Sequence, residues 1–119
     1  MKKKDILREK SFAFALRIVR LQEFLNIQRE FLFANQIFRS GTSIGANLAE
    51  ARQAQSYSDF IHKLSICNKE AAETRYWIEL LGASKKITKP QSDSLLKDCA
   101  EIQRILVRSI RTAKRNKGA

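Results

Sequence analysis

His62 is the single histidine of the chain, so any imidazole chemistry has to pass through it. Ser58 lies four residues before it and Ser65 three residues after it, on one face of the segment if that segment is helical. A Ser-His pair also needs a group to orient the base and donors for an oxyanion, and this exposed helix face implies no such pocket. Cys67 and Cys99 lack CxxC spacing and sit in apolar, helix-period patterns. They read as small core residues of a reduced, intracellular protein. Glu50, Glu70 and Glu73 are the acids nearest the apolar seam, but a di-iron bundle pairs such acids with histidine three residues on, and no Glu-x-x-His occurs. They are expected in ion pairs with Arg39, Lys69 or Arg75, or in hydrogen bonds at a subunit boundary. The reading is non-enzymatic, with no catalytic residue, metal ligand or cofactor assigned.

What remains is cationic chemistry. The chain carries 23 Lys and Arg against 12 Asp and Glu, a formal charge of +11, and its sequence pI is about 10.1. A charge that far from zero speaks of anionic partners: nucleic acid, a membrane surface or an acidic protein. The cations concentrate at the chain ends. Lys2, Lys3, Lys4, Arg8, Lys10, Arg17 and Arg20 open the chain, and Arg104, Arg108, Arg111, Lys114, Arg115 and Lys117 close it. Arg104, Arg108, Arg111 and Arg115 advance by four, three and four, which makes one stripe on a helix. Guanidinium groups bind phosphate oxygens in bidentate fashion, so this ridge, with Lys114, Lys3, Lys4 and Arg8 beside it, is the candidate nucleic-acid surface. The competing readings are a solvated face favoured by the helix dipole and a contact for an acidic protein. No helix-turn-helix, zinc finger or aromatic RNP pattern offers base readout, so backbone or shape recognition is the most that follows.

The elements that position these groups are helical. Four glycines and one proline leave little room for the turns of a β-fold, and no period-two pattern appears. We expect a single all-α domain over residues 1–119, an antiparallel up-down-up-down four-helix bundle. Helices are expected at about 5–25, 29–54, 57–81 and 90–113, with Lys114 to Ala119 frayed. Leu7, Phe14, Ile18, Leu21 and Leu25 form the core stripe of the first. Phe12, Leu16 and Val19 form a second stripe beside it, wider than one bundle core requires, and are expected to meet another subunit. The third helix has a clean heptad of Phe60, Leu64, Cys67, Ala71, Thr74, Ile78 and Leu81. Gly82 stands where a C-terminal glycine belongs, Ser56 where an N-cap belongs, with Asp59 three residues on. Thr88 with Gln91 reads as a capping box around Pro90. Leu95, Cys99, Ile102, Leu106 and Ser109 carry the seam along the fourth helix.

Gly41 and Gly45 interrupt the second helix at a cost of about 1 kcal/mol each relative to alanine. Their spacing of four puts them on one face, and close approach of another helix is the expected compensation. A phosphate-binding glycine loop is the weaker alternative, since no P-loop lysine follows and no strand precedes. Trp77, with Tyr76, flanks the core of the third helix as an inter-helix or inter-subunit anchor. No apolar run spans a bilayer, and the basic start lacks a cleavage site. A cytoplasmic protein without membrane insertion is expected.

Arg39-Ser40-Gly41-Thr42-Ser43-Ile44-Gly45-Ala46-Asn47-Leu48-Ala49-Glu50, then Asp59 to Ile66, then Lys69 to Trp77, resembles the bacterial four-helix bundle family of 23S rRNA intervening-sequence proteins. The resemblance covers about residues 8–115; Ala51 departs from it where the family often has glycine. It implies a ring, commonly a homopentamer, with a basic surface. It also implies kinship with accessory proteins of diversity-generating retroelements, where such a bundle contacts nucleic acid and a reverse transcriptase. It carries no catalytic residues.

Overall fold

A computed structural model describes residues 4–118. Among them are four helices and no strand: α1 (Ile6–Ile27), α2 (Phe31–Ala51), α3 (Tyr57–Ala83) and α4 (Lys89–Gly118). Each helix packs on the next and α1 closes the circuit against α4, in an antiparallel bundle of about 51 × 28 × 21 Å. The α1–α4 contact is the thinnest of the four.

The heptad residues form the core. Phe14, Ile18 and Leu25 of α1, Ile37 and Ile44 of α2, Leu64, Ile78 and Leu81 of α3, and Ile102 and Leu106 of α4 are almost wholly shielded from water. Truncating one such side chain to alanine costs about 2–5 kcal/mol. Thr74, the polar member of the α3 heptad, is fully buried and satisfies its hydroxyl by donating to the Glu70 carbonyl at 2.7 Å.

Local chemistry sets the helix starts. The Asp5 carboxylate accepts from the Arg8 N–H at 3.1 Å, and Ser56 Oγ accepts from the Asp59 N–H at 3.1 Å. Thr88 and Gln91 form a reciprocal box, each side chain accepting from the other's backbone N–H, at 3.2 and 2.8 Å.

The helix ends depart from expectation. Gly82 does not cap α3 but lies inside it. A Cβ there would come within 2.7 Å of Ser92 Oγ, so glycine is required by the approach of α4. The left-handed residue after the helix is instead Lys85, with φ 62°, and the Lys86 N–H donates back to the Leu81 carbonyl at 2.9 Å. Arg29 does the same after α1, with φ 61° and the Glu30 N–H on the Leu25 carbonyl at 2.8 Å. Glycine is absent from both positions, where a cation sits beside the negative helix terminus. The helix expected from about residue 29 therefore starts only at Phe31, and it ends at Ala51 rather than residue 54.

The tail does not fray at Lys114: α4 continues to Gly118. Ala113 is buried and extends the seam another turn, while Lys and Arg are good helix formers that suit a C-terminal end.

The paired glycines of α2 separate in role. A Cβ on Gly41 would lie 2.7 Å from Ile18 Cγ1, so α1 and α2 approach closely there. A Cβ on Gly45 would meet Ser11 at an ordinary 3.8 Å. Within one chain Gly45 is not held by tight packing.

Candidate functional site

Ion pairs stitch three of the four helix seams. Arg52 at the end of α2 grips Asp5 with Nη2 and Nε, at 3.0 and 3.1 Å. Arg39 of α2 reaches Glu70, at 3.2 Å, and Glu73 of α3, while Lys63 of α3 meets Glu50 of α2 at 3.0 Å. Arg17 of α1 binds Asp98 at 2.6 Å and Ser94 Oγ at 3.0 Å on α4, and Lys10 pairs with Glu101. Burial alone would raise Asp5, but the Arg8 N–H and the Arg52 guanidinium hold its carboxyl below the usual range. Lys10 does the same for Glu101, chiefly by its hydrogen bond.

The carboxylates of the seams are thereby assigned. Glu50 and Glu70 are ion-paired, and Glu73 is shared between Arg39 and the Trp77 indole N–H, which donates at 3.0 Å. Lys69 takes no acid, and Arg75 pairs along its own helix with Glu79 at 3.2 Å. Among the described residues only Glu23 and Asp59 have a carboxylate outside any ion pair.

The fourth seam is different: no ion pair crosses between α3 and α4 among the described residues. Its one side-chain bond is that from the Cys99 thiol to the Ala71 carbonyl at 3.3 Å. Over this seam lies an open furrow of about 520 Å³. Arg75 and Asn68 of α3 form one wall and Gln103, Arg104, Arg108 and Arg111 of α4 the other. Ala100 and Val107 complete the lining, and no aromatic ring is part of it. Arg104, Arg108 and Arg111 are exposed and paired with no acid, and residues 102–118 contain no Asp or Glu. Arg115 continues the ridge outward. Lys114 and Lys117 turn toward the start of α3, where they border a second notch with Ser58 and Ile61.

The residues expected to join this surface from the start of the chain are placed otherwise. Arg8 faces α2, lining the α1–α2 groove with Arg52 and Phe12, on the flank of α1 opposite Lys10 and Arg17. Lys4 pairs with Glu9 at 3.8 Å, and Lys3 lies outside the described residues. The sequence gives no sign of Arg75's place in the furrow, because the register of α3 against α4 decides which neighbours it meets.

The α1–α2 groove, about 480 Å³, is another open surface. Ser11, Ala15, Gly45, Ala46 and Ala49 keep it low, and Phe12 stands 62% exposed at its rim. Leu16 is 45% exposed beside it, whereas Val19 is half-buried.

His62 is exposed and makes no hydrogen bond to Ser58 or Ser65; the Ser65 hydroxyl donates to the Ile61 carbonyl instead. Burial pushes both thiols, Cys67 and Cys99, up to about 11. Among the described residues no group of three or more His, Cys, Asp and Glu is placed to hold a metal, and no helix is long and apolar enough to cross a membrane.

Comparison with known proteins bears on the whole chain. A crystal structure of a protein of unknown function from the S23 ribosomal protein family of Bacteroides thetaiotaomicron superposes with a TM-score of 0.87 at 53% sequence identity. The match covers 88% of this chain and 98% of that one. No curated protein matches the sequence. The family model for the 23S rRNA-intervening sequence protein matches residues 3–108, and the chain belongs to that family.

Proposed function

We propose that the protein is a non-enzymatic, homo-oligomeric bundle that binds nucleic acid through its phosphate backbone, without sequence specificity. One observation carries this reading. Nearly every carboxylate of the molecule is engaged in an ion pair, yet the six cations between Arg104 and Lys117 are exposed and acid-free. Cations left unneutralised in a row lower their free energy by displacing counterions from a polyanion. Four of the six, Arg104, Arg108, Arg111 and Arg115, share one face over about 17 Å of helix, a span along which one duplex strand presents about five phosphates.

The test is binding of RNA and DNA as a function of salt. A log–log slope of about −4 or steeper is expected, and no binding at low salt would refute the reading. An accessory role to an rRNA intervening sequence or to a diversity-generating retroelement is the biological form we propose.

Assembly is proposed from a different surface. The exposed Phe12 and Leu16 beside a groove floored by Gly45, Ala46 and Ala49 suit a second copy of this chain, in a ring that we propose to be a pentamer. Gly45→Ala tests it: the added methyl meets no clash inside the chain, so helix content by circular dichroism should be kept while self-association in light scattering weakens. A stable monomer for the unmodified protein would defeat the proposal. The alternative partner for the ridge is an acidic protein such as a reverse transcriptase. Co-purification of protein with a low 260/280 nm absorbance ratio would favour it.

A further inference from the structure

We infer that the furrow between α3 and α4 is a seat for one backbone of a double-stranded nucleic acid, with Arg75 as its clamp from the α3 side. The inference rests on the nucleic-acid reading above and adds the strandedness of the ligand and a residue outside the α4 ridge.

Three features of the furrow point to it. First, its polar lining is made of donors suited to phosphate oxygens: Arg75 at the α3 side, Arg104, Arg108 and Arg111 along α4, and the Asn68 and Gln103 amides. Second, the cleft offers nothing to a base. Single-strand binders gain much of their affinity by stacking bases on aromatic rings, and here the apolar lining is Ala100 and Val107, with no ring. A duplex keeps its bases stacked internally and needs none from the protein. Third, the walls are held before any ligand arrives, because both belong to long helices whose opposite faces are core: Ala71 and Thr74 behind Arg75, Ile102 and Leu106 behind the α4 arginines. A rigid cleft matches a regular backbone better than a flexible strand, whose ordering would cost entropy on binding. Asn68 Oδ1 is shielded from water and accepts no hydrogen bond, so a turn of this amide in the complex would find donors among the arginines.

Glu79 is the built-in competitor. It holds the Arg75 Nε at 3.2 Å along α3, and both side chains are about half-exposed, so a phosphate displaces it at little cost.

The experiment is fluorescence anisotropy with a 20-base-pair RNA duplex, a DNA duplex of the same sequence and unstructured oligo-uridine of equal length, at matched salt. Duplexes are expected to bind about tenfold tighter than oligo-uridine. The two duplex arms separate ribose from deoxyribose as the source of the backbone. Arg75→Ala should weaken duplex binding several-fold and reduce the salt slope by about 1, and Glu79→Gln should tighten it about twofold. Circular dichroism melting of both variants checks that the bundle is intact. Equal or tighter binding of oligo-uridine, or an Arg75→Ala slope equal to that of the parent, overturns the furrow. If Arg108→Glu with Arg111→Glu still abolishes binding in that case, the nucleic-acid reading survives alone. Absence of binding to all three probes overturns both.

Discussion

The two flanks of α4 both carry charge and come out opposite. On the flank toward α1, Asp98 and Glu101 meet Arg17 and Lys10, and charge closes the thinnest seam of the bundle. Toward α3 the packing is extensive, no ion pair crosses, and arginines stand on both walls. Charge thus serves the fold where apolar contact is scarce and is left facing solvent where apolar contact is enough. A net charge of +11 says nothing about this division. Only the partners of each cation do.

The largest test of the contrast is charge reversal on the open flank. Arg108→Glu with Arg111→Glu should lower duplex affinity by 100-fold or more at low salt, about 2.7 kcal/mol, with the melting temperature nearly unchanged. Gly41→Ala should do the converse. Its Cβ would press on Ile18, which is fully buried and unable to move aside, so overpacking of about 1–3 kcal/mol exceeds the roughly 1 kcal/mol gained in helix propensity. Thermal denaturation should record the loss while affinity stays constant. A smaller effect is expected on the closed flank: Arg17→Ala removes bonds to Asp98 and Ser94 and should cost up to about 1 kcal/mol of stability, again without touching affinity. If Arg17→Ala instead weakens binding as much as the double reversal, the two flanks are not distinct.

The smallest effect is that of pH, and its sign separates the flanks. Asp5 and Glu101 titrate below their usual 3.8 and 4.5 in the folded chain. Their contribution to stability is complete above those usual values and is lost as pH falls through the lowered folded ones. The melting temperature should therefore fall modestly from about pH 4 downward. No carboxylate lines the furrow, so acid loosens the opposite seam and leaves the furrow's walls as they are. Asp5→Asn should flatten the Asp5 part of the acid limb in a melting-temperature series.

Much of this fold was legible because burial leaves a period. The α3 heptad is buried from Leu64 to Leu81, with only Phe60 at its start half-buried, and the capping pairs Ser56–Asp59 and Thr88–Gln91 form. What escaped was set by contacts between helices. Gly82 looks like a cap by local rules and is a contact because Ser92 comes against it. Gly41 and Gly45 look equivalent on one face, yet only Gly41 meets a bulky neighbour. On the candidate site, the α4 ridge was visible as a spacing of four, three and four. Arg75 was not, since its place in the furrow depends on helix register. Arg8 looked like a partner of the ridge by its position near the chain start, and helix phase turns it to the other flank.

The buried thiols also make the bundle its own clock. Cys67 on α3 and Cys99 on α4 are shut in the core with their thiols held to about 11, so an alkylating reagent at neutral pH finds almost no thiolate until the helices part. The rate of labelling then reports how often the core opens, without any introduced probe. Counting the two sites separately would tell whether α3 and α4 part together or one gives way first.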